Sequence, residues 1–313
     1  MVELPSLRLE AVQACVPANV VDNLELCTAL VGAAKATAIV TSTGFPFRRV
    51  LEPGRTVSDL MLPAARAALE GVDPASVGGV VVVSFSSPAR FPALAARLQR
   101  ALALPGDIAA LDLQLACAGY PYGLMVAGQL AAATGRRVLL VDGDMQSAHV
   151  DPSDVNTLAV MSDAASATLV SATDGAPARF AFLTDGSGGE VLACGADGRI
   201  RMDGFGVFRF VAGTVTAFLG DFLKALPAPP DLFVPHQANM YMVRQMARTL
   251  GLGDRLLTSG ERFANPGSGS VPLTLAANGG EGRTLLAGFG AGLAASAADI
   301  LLPPDCRRGV CEA

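Results

Sequence analysis

Two residue types scarce in this chain stand where hydrophobic runs break off. The sequence has six cysteines and two histidines. Cys117, in LQLACAGYPYGL (113–124), lies between alanines where a strand-like run gives way to helical spacing. A thiol on the first turn of a helix feels the partial positive charge of unpaired N–H groups, which lowers its pKa and enriches the thiolate. Ala116, Ala118 and Gly119 leave room for a substrate to approach, and a backbone N–H beside the sulfur can serve as an oxyanion donor. A cysteine flanked by alanines is equally at home as a small buried hydrophobe. His236, in FVPHQAN, ends an apolar run and has the side chain best suited to proton transfer near pH 7. His149, in QSAHVDPSD, lies in a polar loop and is expected to be exposed. Asn265, in RFANPGSGSVPLTLA, precedes Pro and a Gly/Ser run that opens a helix near Val271. It reads either as a helix-capping or turn residue or as a member of a site.

The elements that must position these groups alternate along the chain. Val77–Ser87 is a β-branched run of the kind buried on both faces. Helical spacing follows over 92–104, a strand over 107–115, a helix over 118–135 closed by Gly135, and a strand over 136–144. The second half repeats the theme with a strand over 231–237, a helix over 239–253 and a strand over 283–292 that runs into a glycine turn. Such alternation predicts a mostly parallel sheet covered by helices, with reactive groups on loops at the carboxyl ends of strands. Cys117, His236 and the turn at 288–292 all occupy such positions. The similar order of elements in the two halves suggests a duplication, with halves at 1–174 and 175–313.

Composition narrows the function classes. Of the 313 residues, 51% are apolar and only 16% charged, which predicts a buried central sheet and a sizeable subunit interface. The net charge is −5 and no more than two arginines are adjacent, so nucleic acid is not an expected partner. The opening MVELPSLRLEA lacks the basic and apolar regions of a signal peptide. The most membrane-like window, 284–302, is rich in Gly and Ala and reads as two buried strands around a tight turn. The cysteines form no C-x-x-C pair or Cys/His cluster, which argues against structural zinc and a disulfide framework and fits a reducing cytoplasm. No metal or redox cofactor is implied. The tail PPDCRRGVCEA reads as frayed.

Four segments in order, LDLQLACAGYPYGL, VPHQAN, FANPGSGSVPLTLA and LLAGFGAGL, resemble the nucleophile, histidine, asparagine and glycine-turn motifs of β-ketoacyl-acyl-carrier-protein synthase III. Weaker similarity over 41–60, 91–99, 151–170 and 185–192 extends this over nearly the whole chain. The resemblance implies a thiolase fold: duplicated halves in an α-β-α-β-α layering. It implies that Cys117 takes an acyl group from a thioester of coenzyme A or acyl-carrier protein. A malonyl thioester then loses carbon dioxide, and its carbanion attacks the acyl-enzyme. His236 and Asn265 would donate hydrogen bonds to the enolate oxygen, and the N–H groups of Cys117 and Ala291 would hold the acyl-transfer oxyanion. Phe289 and Gly290 would line the thiol pocket, Phe289 having plain core packing as its alternative. Phe91 matches the residue that caps the acyl pocket of the neighbouring subunit, so a homodimer is expected, with a heterodimer as the exception.

The same comparison exposes departures. The chain has no tryptophan, and Ala38 and Ser42 stand where the family holds the adenine of coenzyme A between tryptophan and arginine. Tyr241 and Val155 replace two further arginines, and Ala291 replaces a glycine. Each lost arginine would remove a charge-assisted contact of roughly 1.5–3 kcal/mol. Arg48, Arg49, Arg209, Arg244 and Arg248 are candidates to substitute. The expectation is a specialised relative in fatty-acid or polyketide-type metabolism. Two alternatives remain: transfer of the acyl group to an oxygen or nitrogen acceptor without decarboxylation, and a non-catalytic partner subunit. A papain-type hydrolase fits neither the chain order nor the need to exclude water.

Overall fold

The β-branched run at 77–83 forms a strand in which every residue is buried. Its valines alternate between two cores: Val81 and Val83 join one, Val80 and Val82 the other. That alternation is what a strand with both faces covered requires. The computed structural model describes residues 1–313 and contains two sheets of this kind. The sheet strands are β1 (Val2–Leu4), β2 (Leu7–Val16), β3 (Val77–Val83), β4 (Ala109–Leu113), β5 (Arg137–Met145), β6 (Asp163–Ala172), β7 (Ala178–Thr184), β8 (Leu232–Pro235), β9 (Gly282–Gly290), β10 (Ala294–Leu302) and β11 (Arg307–Glu312).

One sheet has the order β11-β2-β6-β5-β3-β4 and the other β1-β7-β10-β9-β8. Within them, β2-β6-β5-β3 and β7-β10-β9-β8 match strand for strand and in polarity. The β3/β5 and β8/β9 pairs are parallel. The β5/β6 and β9/β10 pairs are antiparallel, as are β2/β6 and β7/β10. The chain ends cross over: β1 adds to the second sheet, and β11 adds to the first. The tail that reads as frayed is therefore a paired edge strand, in parallel register with β2. The free edge of β2 supplies the hydrogen bonds that the tail's polar composition conceals.

Six helices complete the layers: α1 (Ser58–Ala68), α2 (Leu94–Ala101), α3 (Gly119–Thr134), α4 (Thr216–Lys224), α5 (Met240–Thr249) and α6 (Ser270–Asn278). Helices α3 and α6 lie between the sheets, where Tyr120, Leu124, Leu273 and Leu275 share one core with residues of both. Helices α1 and α2 cover the outer face of the first sheet. A continuous helical run from Gly204 to Lys224, with a π-helical stretch at Phe210–Val215, covers the second together with α5. This run is long and apolar enough to span a bilayer by length and composition, yet Val211, Val215, Leu219 and Phe222 pack onto the sheet. The membrane-like window at 284–302 forms β9 and β10. Sequence-read elements are present with ends trimmed by a few residues, but the expected mostly parallel sheet is instead two mixed sheets, because β6, β7 and β10 run antiparallel to their neighbours.

Candidate active site

Cys117 lies on a short 3-10 turn, Ala116–Ala118, that leads into α3. The preceding Ala116 has φ 41°, a left-handed value that costs an alanine about 1–3 kcal/mol. Close packing beneath holds the turn: a Cβ at Gly119 would sit 2.2 Å from Val83 Cγ1, so only glycine lets α3 descend onto β3. Across the sulfur, Gly290 at the end of β9 has φ 153°, and a Cβ there would stand 3.0 Å from Cys117 Cβ. The Ser296 hydroxyl on β10 donates to the Ala118 carbonyl at 2.7 Å, tying the nucleophile turn of one half to the sheet of the other.

The thiol is not activated in the way its helix position suggests. Burial pushes the Cys117 pKa up to about 12; the Asp144 carboxylate adds to the rise, and the residue's own backbone N–H opposes it. Desolvation outweighs the partial charge of the helix terminus, so Cys117 is a neutral thiol at pH 7. Asp144, at the end of β5, accepts from the Phe85 N–H at 2.9 Å and from the Ser268 N–H and hydroxyl at 3.0 and 2.7 Å. It thereby fixes two loops that border the site. Its only sequence signal is a carboxylate at a strand end in VDGDM.

His236 follows β8. Its backbone N–H donates to the Ala287 carbonyl at 2.7 Å, and its ring meets Phe289 edge-on with centroids 5.4 Å apart. Nδ1 lies 2.7 Å from the Ser270 hydroxyl, which also accepts from the Gln237 N–H at 3.1 Å. The hydroxyl proton has no other acceptor than Nδ1, so the ring proton belongs on Nε2. Burial pushes the His236 pKa down to about 3, and the ring is neutral at physiological pH.

Asn265 sits at an isolated bridge between the two halves. Its N–H donates to the Val160 carbonyl at 3.1 Å, and its carbonyl accepts from the Ser162 N–H at 2.9 Å and Gln146 Nε2 at 2.6 Å. Oδ1 accepts from the Gly267 N–H at 3.0 Å, so the amide is oriented with Nδ2 free of any partner in the chain. Ala264 before it has φ 50°. Left-handed alanines thus precede both Cys117 and Asn265.

A cavity of about 740 Å³ takes in Cys117, His236, Asn265, Phe289, Gly290 and Ala291. The Ala291 N–H has no partner in the chain. Phe91 does not reach this cavity and is 85% exposed. His149 departs from its expected exposure: it lines the cavity with Nδ1 2.8 Å from the Gly198 carbonyl. A hairpin of Leu192–Cys194 with Ile200–Met202 forms the wall beside it. Neither the hairpin nor Gln146 carried a motif in the sequence. No Asp, Glu, Lys or Arg lines the cavity. Arg48 is buried and donates to the Met161 carbonyl. Arg49 donates to the Pro17 carbonyl and pairs with Glu312, and Arg244 pairs with Glu261. Arg209 and Arg248 are exposed without ion pairs. Ala38, Ser42 and Tyr241 are exposed, and Val155 is buried.

The chain is similar to known proteins in sequence and in fold. A profile of the family described as 3-oxoacyl-[acyl-carrier-protein (ACP)] synthase III matches residues 111–189, and one for its C-terminal region matches 227–301. The β-ketoacyl-[acyl-carrier-protein] synthase III of Sphingopyxis alaskensis is 33% identical over 255 residues, 76% of this chain and 79% of that one. A 3-oxoacyl-(acyl-carrier protein) synthase structure from Burkholderia xenovorans LB400 superposes on 100% of this chain and 98% of its own, with TM-score 0.95 and 27% identity. The priming β-ketosynthase of the R1128 polyketide biosynthetic pathway covers 97% and 98%, with TM-score 0.87 and 30% identity. Fold and sequence agree that the chain belongs to the β-ketoacyl-acyl-carrier-protein synthase III family, thiolase-fold acyltransferases of the condensing type.

Proposed function

We propose that Cys117 is the acyl acceptor and that His236 and Asn265 drive decarboxylation of the extender. The observation that carries this reading is one cavity holding a thiol, an Nε2–H and an unpaired Nδ2 amide. In the first step the Cys117 sulfur attacks the thioester carbonyl, the carrier C–S bond breaks, and the thiol proton ends on the departing carrier thiol. The N–H groups of Cys117 and Ala291 hold the oxyanion of that step. Gly290 leaves the sulfur open to attack, while Phe289 braces the His236 ring.

In the second step a malonyl thioester places its carbonyl oxygen between Nε2 of His236 and Nδ2 of Asn265. Loss of carbon dioxide leaves an enolate, and two neutral donors stabilise it. The enolate carbon attacks the acyl-Cys117 carbonyl, the C–S bond breaks, and one proton taken up from solvent restores the thiol. Atoms and charge balance without a metal or redox group. Transfer to an alcohol or amine would give the Asn265 amide no work, so condensation is the better fit.

The donor arrives on coenzyme A or on an acyl-carrier protein, and among the five candidate arginines Arg209 and Arg248 are exposed without ion pairs, free to meet an acidic carrier. Two features support a homodimer. The outer edge of β4 has no partner strand, and Phe91 projects from the loop before α2 with nothing of its own protomer to cover. The matching strand orders support duplicated halves near the 174/175 join. Six unpaired cysteines support a reducing cytoplasm. The test is intact mass after incubation with a panel of acyl thioesters, beside Cys117→Ala. An acyl adduct absent from the variant, and discharged as β-ketoacyl product by malonyl thioester, supports the reading. Folded protein that acquires no adduct from any donor refutes it.

A further inference from the structure

We propose that the acyl chain accepted by this enzyme carries a hydroxyl group that donates to Nε2 of His149. The inference rests on Cys117 being the acyl acceptor of the shared cavity. Beyond Asn265 that cavity is walled by Phe85, Gln146, His149, Met161 and Ile200. Apolar members of this wall suit an alkyl or aryl chain; the two polar ones do not.

The Nδ1 atom of His149 lies 2.8 Å from the Gly198 carbonyl oxygen. A carbonyl oxygen only accepts, so Nδ1 carries the proton. With the ring proton on Nδ1, Nε2 presents a lone pair and has no partner in the chain. The Phe85 ring, 5.2 Å away centroid to centroid and tilted by 56°, holds the imidazole in place. Gln146 is only 2% exposed. Its Nε2 donates to the Asn265 carbonyl at 2.6 Å, and its Oε1 accepts from nothing in the chain.

Both unpaired groups are therefore acceptors, and their complement is a donor on the substrate. An unsubstituted chain would displace water from them and return no hydrogen bond, a penalty that sites of this kind use to reject analogues. A substrate cation is disfavoured because no carboxylate lines the cavity. A neutral hydroxyl meets the condition at His149, where its single proton is donated to Nε2.

The test uses Cys117→Ala protein, which cannot be acylated, titrated calorimetrically with length-matched acyl-coenzyme A pairs. Each pair differs by one hydroxyl, moved along the chain. The proposal expects one hydroxyl position to bind about tenfold tighter or better than its alkyl partner. The advantage should vanish when His149→Phe is added, with folding checked by circular dichroism. Equal binding at every position, binding of neither member of any pair, or an advantage that survives His149→Phe would overturn it. Intact-mass loading of the wild-type protein separates the two readings. If nothing loads Cys117 while hydroxyacyl thioesters still bind more tightly, it is the role of Cys117 that fails.

Discussion

The floor of the cavity and its mouth are built on different physics. On the floor, each group with work to do is pinned by buried partners. Gly267 orients the Asn265 amide, Ser270 sets the His236 ring, and Asp144 fixes the loops through Phe85 and Ser268. At the mouth, Ser42 and Asn239 are joined by one hydrogen bond of 3.2 Å. Tyr241 stands 61% exposed where the family resemblance expects arginine. Floor geometry is set by dry, directional bonds that tolerate little change; the mouth meets solvent and partner, and its side chains can be exchanged without disturbing the fold. The difference suggests that catalysis is retained while donor recognition has been rewritten.

Breaking the floor should give the larger effects. Alkylation of Cys117 by iodoacetamide should accelerate about tenfold per pH unit from pH 7 to 10 without a plateau, because the reactive thiolate is scarce well below a pKa near 12. A plateau near neutral pH would show a helix-activated thiolate instead. Asn265→Ala should slow condensation about 100- to 1,000-fold, the usual loss for one oxyanion donor, while Cys117 still loads in an intact-mass assay. Ser270→Ala should cost about tenfold in condensation, one hydrogen bond's worth of ring orientation, with Ser270→Thr restoring most of it. At the mouth, Tyr241→Arg should lower KM for a carrier-borne donor only about threefold, less at high salt, because exposed charges are screened. A Tyr241→Arg effect exceeding that of Ser270→Ala would reverse the comparison.

The pH dependence of stability follows from the same burial. His236 stays neutral when folded down to about pH 3, whereas an unfolded histidine protonates near 6.5. The unfolded state then binds the extra proton, so this residue's contribution to stability declines as pH falls through 6.5 toward 3.

Local patterns made much of this legible. Cys117 and His236 each sit in a short motif at the end of an apolar run, Asn265 stands before a Pro and Gly/Ser run that opens a helix, and the valines at 77–83 announce a strand covered on both sides. What could not be read depends on who packs against whom. The Cys117 pKa reverses direction because burial comes with packing against Gly290 at the end of β9, distant in sequence. The polar tail becomes a strand only because β2 offers an edge some 300 residues earlier in the chain. His149 looks like a loop residue until the Leu192–Met202 hairpin closes over it. Arg48 and Arg49, plausible as phosphate ligands by composition, are taken up by backbone carbonyls within the fold.

The most direct measurement is carbon dioxide release from a malonyl thioester on acylated Asn265→Asp protein. The aspartate keeps the shape of asparagine, and when ionised it replaces a donor with a negative charge beside the developing enolate. The account predicts normal acyl loading of Cys117 and carbon dioxide release reduced at least 100-fold, as for loss of an oxyanion donor. Release at the wild-type rate would contradict it, because Asn265 would then have no part in stabilising the enolate.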